Sequence, residues 1–112
     1  MIYVRMQHNE HDDIIAFTMS GHAEAGPYGQ DIVCAGASAV SIGTVNAVQS
    51  LCGVDLVVSS KGEGGYLDCA VPEGLDVRTY EDVQLLLKGM ELSFLSMADA
   101  YQTFITVEID RR

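Results

Sequence analysis

Apolar and polar side chains alternate along the first residues of the chain. Alternation over residues 1–7 and an apolar-rich run over residues 13–20 predict two strands, because side chains two positions apart share one face of a strand. The polar segment 8–12 between them predicts a hairpin turn that contains His8 and His11. The spacing of these histidines matches no common metal site, so no metal ligand is expected here.

A loop and then a helix are expected next. Residues 21–30 contain three Gly and one Pro, which disfavours regular structure. Residues 31–51 contain no Pro and few charges, and this composition predicts a helix buried on most of its circumference. Asp31 is a natural N-cap for this helix, and Gly53 is a natural C-terminal stop.

The second half of the chain predicts strands around one more helix. Residues 54–60 and 66–71 are strand-like runs joined by a glycine-rich turn, and residues 103–109 alternate with a period of two. Between them, Thr79 precedes acidic residues and marks the start of an amphipathic helix. The apolar positions of that helix are Val83, Leu86, Leu87, Met90, Phe94 and Met97.

The element order ββαββαβ predicts a single α+β domain over residues 1–112. We expect a mostly antiparallel five-stranded sheet with both helices packed on one face. A chain of 112 residues that is 48% hydrophobic can bury such a core without disulfides or a structural metal. The other face of the sheet is then either solvated or a dimer surface.

Charge narrows the classes of partner. Asp and Glu number 16 against 6 Lys and Arg, which gives a formal net charge of −10 and argues against nucleic-acid binding. The same charge would attract a cationic protein from a distance, although solubility explains it equally well.

Cysteine usage and hydropathy indicate a soluble, cytoplasmic protein. Cys34, Cys52 and Cys69 form no C-x-x-C pair, which fits a reducing compartment and no disulfide framework. Cys52 and Cys69 are expected in the core. No run of about 18 apolar residues is evident, so no contact with a membrane is expected.

The candidate chemistry lies where the glycine-rich loop meets the first helix. With Asp31 as N-cap, Cys34 occupies the third helical position, where the helix dipole is positive and backbone N–H groups lack intrahelical partners. This position suits a thiolate. The N–H groups near Cys34 and Ala35 also suit a developing oxyanion.

A helix terminus alone does not make a thiol a strong nucleophile. It contributes about 0.3 to 1 kcal/mol, less than the about 1.4 kcal/mol that a tenfold change in ionisation requires. A cationic partner is needed, and a histidine that forms a thiolate–imidazolium pair is the usual one. His22 lies twelve residues upstream of Cys34, across the loop, and is the nearest candidate.

Each of these residues also has a purely structural explanation. A cysteine near a helix start is commonly a small buried hydrophobe. Asp31 either only caps the helix or also orients the His22 imidazole. Ser38, one turn after Cys34, either lines the site or permits close packing.

Two sequence blocks resemble the signature of a known family. The block G-H-A at residues 21–23 and the block G-Q-D-I-V-C-A-G-A-S at residues 29–38 closely resemble the pattern of the Prp family, the bacterial ribosomal-processing cysteine proteases. The resemblance covers essentially the whole chain, and neither block departs from the family pattern.

The resemblance implies a cysteine endopeptidase that removes a short N-terminal extension from large-subunit ribosomal protein twenty-seven during ribosome assembly. In the family pattern Cys34 is the nucleophile and His22 is the general base and acid. Gly21 is a hinge for the loop, and Asp31 and Ser38 support the site.

The resemblance further implies a homodimer that needs no cofactor. An apolar substrate pocket is expected near residues 23–30, with Tyr28 and Ala35 as substrate contacts. Two alternatives stay open: a non-catalytic ribosome-assembly module that binds a basic ribosomal protein, with Cys34 merely packed, and a metal site built by His22 and Cys34.

Overall fold

The computed structural model describes residues 1–21, 31–59 and 66–111. Its elements in chain order are β1 (Ile2–His8), β2 (Ile14–Ser20), α1 (Ile32–Cys52), β3 (Val57–Ser59), β4 (Tyr66–Ala70), α2 (Val77–Ala100) and β5 (Ile105–Arg111). The predicted order ββαββαβ is confirmed.

The strands form one five-stranded sheet in the order β3-β4-β2-β1-β5. Neighbouring strands are antiparallel except for β5, which runs parallel to β1 at the edge. Tyr3 of β1 pairs with Ser20 of β2, so β2 ends beside the start of the chain. The predicted α+β class and the mostly antiparallel sheet are confirmed.

The core lies between the sheet and the two helices. Alternate residues of β1 are buried, and Phe17 and Met19 continue this buried face on β2. The largest side chains at its centre are Phe17, Phe94, Met6, Ile14, Leu87 and Ile105. On α2 the buried positions recur at helical spacing, which confirms the predicted amphipathic helix.

The opposite face of the sheet is polar. Arg5 of β1 and Glu108 of β5 are neighbours there, with Arg5 Nη2 3.5 Å from Glu108 Oε2. Thr18 and Thr106 lie on the same face, because they pair with residues of β1 that alternate with the core positions. This composition favours a solvated face over a dimer surface.

Helix α1 departs from the prediction, because it is not buried on most of its circumference. Its buried residues are only Val33, Ala37, Ser41 and Val48, which form one stripe against the sheet and α2. Cys34, Val40, Val45 and Cys52 are partly buried against the core, and about half of the helix residues are exposed. By length and composition alone, α1 is also the one helix in the described segments that is long and apolar enough to cross a membrane.

Further boundaries differ from the prediction, and β5 spans Ile105–Arg111 rather than residues 103–109. Helix α2 begins at Val77 rather than at Thr79, because the side chain of Asp76 caps it and accepts a hydrogen bond from Thr79 N at 3.3 Å. His8 belongs to β1 and is buried, so it is not a turn residue. Strand β3 begins only at Val57, and the predicted turn 61–65 lies outside the described residues.

Candidate active site

Asp31 caps the N-terminus of α1, as predicted. Its backbone is extended, and its Oδ1 accepts hydrogen bonds from the N–H groups of Val33 and Cys34, each at 3.0 Å. N–H groups of a first helical turn have no intrahelical acceptor, so this carboxylate satisfies two of them. The cap therefore fixes the start of α1 and makes Cys34 its third residue.

Among the three cysteines, Cys34 combines access with a positive helix end. All three are thiols; Cys34 and Cys52 are half-buried, and Cys69 is buried. Burial, with a smaller contribution from the charge of Asp68, raises the pKa of the Cys69 thiol to about 11. Cys52 ends α1 and therefore lies at the negative end of the helix dipole. The geometry therefore favours Cys34 as the reactive thiol.

The backbone donors expected to bind an oxyanion are engaged in this structure. The N–H of Cys34 donates to Asp31 Oδ1, and the N–H of Ala35 donates to the Asp31 carbonyl oxygen at 3.0 Å. The cap and the first helical turn thus use both groups. The Asp31 carboxylate occupies the position that an anion takes at a helix N-terminus, so an oxyanion there competes with it.

Gly21 fixes the backbone at the end of β2. Its φ is +87°, and a Cβ built on it would lie 2.2 Å from the carbonyl oxygen of Met1. Only glycine tolerates both the left-handed conformation and this close approach. The contact sets the position from which the chain departs toward residue 22.

Helix α1 packs closely against α2, and the end of β2 packs against the start of β1. A Cβ on Gly36 of α1 would lie 3.3 Å from Met97 Cε of α2. The turn after α2 leads to Phe104, whose carbonyl oxygen accepts from Ile2 N at 2.8 Å, beside the contact of Gly21 with the N-terminal residue. The end of β2, the start of β1 and the turn before β5 therefore lie close together.

The remaining predicted residues are placed as follows. Ser38 lies one turn after Cys34 with an exposed side chain, and its carbonyl oxygen accepts from Ser41 Oγ at 3.4 Å. His22 and Tyr28 lie outside the described residues. Within the described ranges, no group of three or more His, Cys, Asp or Glu side chains is arranged to hold a metal ion.

The helical spacing of Met97 predicts a core position but does not predict its approach to Gly36 of α1. Its meeting with Gly36 depends on how α1 and α2 pack, and no local sequence pattern reports that.

Comparison with known proteins places this chain and its fold in the class of cysteine proteases. The model of the family described as Cysteine protease Prp matches residues 1–106. The chain belongs to this family, which confirms the resemblance inferred from the two sequence blocks.

Relatives match nearly the whole chain, and the solved structures among them share its fold. The ribosomal processing cysteine protease Prp of Bacillus subtilis is 36% identical over 107 residues, which cover 96% of each chain. The crystal structure of the S. aureus ribosomal processing protease Prp with a covalently linked product peptide has a TM-score of 0.89 at 33% identity, covering 98% of this chain and 100% of that chain. The structure of the S. aureus protease with a substrate peptide has a TM-score of 0.83 at 31% identity, with the same coverage.

Proposed function

We propose that this protein is a cysteine endopeptidase that removes the N-terminal extension of large-subunit ribosomal protein twenty-seven during ribosome assembly. The observation that carries the proposal is the half-buried Cys34 on the capped first turn of α1, in a chain of the cysteine protease Prp family. Relatives named as ribosomal processing proteases support a ribosomal protein as the class of substrate. The enzyme acts in the cytoplasm and needs no cofactor.

The reaction follows from a Cys34–His22 dyad. The Cys34 Sγ attacks the scissile carbonyl carbon while the His22 imidazole takes the thiol proton. The peptide C–N bond then breaks, and His22 returns the proton to the leaving amine. Water finally hydrolyses the thioester, which releases the new acid and restores the thiol.

The other residues act on this dyad or on the substrate. Gly21 holds the backbone next to His22, and Asp31 keeps Cys34 at the positive helix end. Ser38 lines the site one turn further along α1. Ala35 and Tyr28 contact the substrate peptide.

The charge of the protein suits a basic ribosomal substrate. A formal net charge of −10 attracts a cationic partner over about a Debye length, roughly 8 to 10 Å at physiological salt. Substrate association should therefore slow as salt is added, whereas cleavage of an already bound peptide should change little.

The enzyme acts as a homodimer, and the outer face of the helices is the surface we assign to the second copy. Residues 32–52 carry no Asp, Glu, Lys or Arg, so two acidic chains can approach there with little repulsion. Ile42, Leu85 and Leu92 are exposed at 53%, 72% and 65% on this face. A groove of about 400 Å³ lies between the helices and is lined by small residues of α1.

Sedimentation tests the dimer surface. Ile42→Asp should give monomers, because a buried unpaired carboxylate is costly. The matched control, Thr106→Asp on the open face of the sheet, should stay dimeric. Dimers of Ile42→Asp together with monomers of Thr106→Asp would instead assign the dimer contact to the open face of the sheet.

Cleavage of the full-length ribosomal substrate tests the function. The wild-type protein should release one N-terminal peptide, and mass spectrometry should identify a single new N-terminus. Cys34→Ser and His22→Ala should abolish cleavage without loss of folding, and Cys52→Ser, at the other end of α1, should retain it. Cleavage by Cys34→Ser would contradict the proposal, and binding without cleavage by the wild type would favour the non-catalytic module.

A further inference from the structure

A buried histidine lies at the end of β1, away from the candidate active site. His8 is 5% exposed. Its Nε2 is 2.5 Å from Oε2 of Glu91 on α2, and its Nδ1 is 3.3 Å from Oδ1 of Asp12 in the β1–β2 turn. Both ring nitrogens therefore face carboxylates that belong to different elements.

Asp12 also receives a hydrogen bond from the end of β5. Arg111 Nε donates to Asp12 Oδ1 at 3.0 Å. Hydrogen bonding and charge from Arg111, together with the bond to His8, hold the pKa of Asp12 below its ordinary value, so this carboxyl is ionised at neutral pH. Asp12 thus presents an acceptor, and no proton, to the imidazole.

Neighbouring charged groups of α2 are engaged elsewhere. Lys88 Nζ lies 3.7 Å from Asp13 Oδ1, and Tyr80 Oη donates to Asp13 Oδ2 at 2.9 Å. In the described segments, the charged groups that contact the His8 ring are therefore Asp12 and Glu91. Arg111 contacts Asp12.

A count of protons determines which form of His8 fits. An ionised carboxylate only accepts, and a neutral imidazole has only one N–H. A neutral ring would leave a nitrogen lone pair aimed at one carboxylate, in a place where the Glu91 side chain is only 13% exposed. An imidazolium donates from both nitrogens, and with Arg111 it also balances the two carboxylates in charge.

We propose that His8 is an imidazolium clamp that holds α2, the β1–β2 turn and the end of β5 together, and that loss of its proton loosens this end of the domain. Deprotonation removes one hydrogen bond and leaves the four-group cluster with an uncompensated negative charge. The clamp makes the stability of the fold pH-dependent, independently of any peptidase activity.

Nitrogen-15 NMR of the wild-type protein tests the protonation state directly. At about pH 7, both ring nitrogens of His8 should show the chemical shifts of protonated imidazole nitrogens. An unprotonated Nε2 or Nδ1 would overturn the proposal, including the case in which the proton sits on Glu91 instead.

A substitution at Glu91 tests the consequence for stability. In Glu91→Gln the amide N–H can donate to Nε2, so a neutral ring then fits and the need for an imidazolium disappears. Between about pH 6 and about pH 9, the Tm of the wild type should fall by at least about 4 °C more than that of Glu91→Gln. His11→Gln, in the same turn but exposed, is the control and should follow the wild type.

Equal changes in Tm for the wild type and Glu91→Gln would overturn the proposal. Groups that titrate in both proteins, including buried Cys69, change both Tm values equally, so their effect cancels in this comparison. If Glu91→Gln does not fold, the NMR measurement on the wild type still decides the question.

Discussion

Replacement of Gly21 by Ala should disturb the backbone at the end of β2, next to His22. The substitution has two separate costs. The φ of +87° at this position is in the left-handed region, which costs a residue with a Cβ about 1 to 2 kcal/mol. The new Cβ would also lie 2.2 Å from the carbonyl oxygen of Met1, so one of the two backbone segments must move.

The clash adds to the conformational strain. Forcing extra atoms into a packed region typically costs about 1 to 3 kcal/mol. The free energy of unfolding of Gly21→Ala should therefore fall by about 2 to 5 kcal/mol. Because the displaced backbone adjoins His22, cleavage should fall at least about tenfold, as expected when a catalytic group is misplaced by about 1 Å.

Gly74→Ala separates the two costs. Gly74 has a φ of +82°, and a Cβ on it meets nothing within 4 Å in the described part of the chain. Urea denaturation should show a loss of only about 1 to 2 kcal/mol, with cleavage unchanged. Equal destabilisation of the two variants, or full activity of Gly21→Ala, would refute the role assigned to this close approach.

Substitutions at three further positions test the fold and the cap by urea denaturation. Asp31→Ala should lose about 1 kcal/mol, because two N–H groups lose their acceptor, whereas Asp31→Asn should lose little. Gln84→Ala should lose about 2 to 4 kcal/mol, because Gln84 bonds both the N–H and the C=O of Ile14 at 2.8 Å; a loss under about 1 kcal/mol would mean that water replaces it. The pKa of Cys69 is about 11 when folded against 9.0 for an ordinary thiol, so the unfolded chain loses its proton first. Wild-type stability should therefore fall across that interval by up to about 2 to 3 kcal/mol, and Cys69→Ala should not show this slope.

Local sequence patterns correctly predicted the elements that depend only on interactions between neighbouring residues. The apolar spacing of α2 and the capping position of Asp31 are properties of neighbouring residues, so both were found correctly. The start of α2 was misplaced because Asp76 and Thr79 are both good capping residues three positions apart. Only the backbone hydrogen bonds distinguish them.

Features that depend on tertiary packing were not available from the sequence. An apolar composition did not reveal that α1 is covered on one side only. The period of two in β1 does extend to His8, so its inward position was detectable, but its partner Glu91 is 83 residues away. The approach of Gly21 to Met1 likewise depends on the register of β1 and β2.

For the candidate active site too, the sequence predicts the features that depend on neighbouring residues and misses those that depend on other contacts. The position of Cys34 as the third helical residue follows from the local cap and is confirmed. The Cys34 and Ala35 N–H groups are expected to be open to an oxyanion, but in the structure both donate to Asp31. The pairing of Cys34 with His22 stays a prediction.

Alkylation by iodoacetamide at neutral pH tests that pairing most directly, with mass spectrometry reporting the rate at each cysteine. In the wild type, Cys34 should react at least about tenfold faster than Cys52 or Cys69, because an imidazolium holds its sulfur as the thiolate. His22→Ala should remove this preference. Equal rates at the three cysteines of the wild type, or an unchanged preference in His22→Ala, would contradict the account.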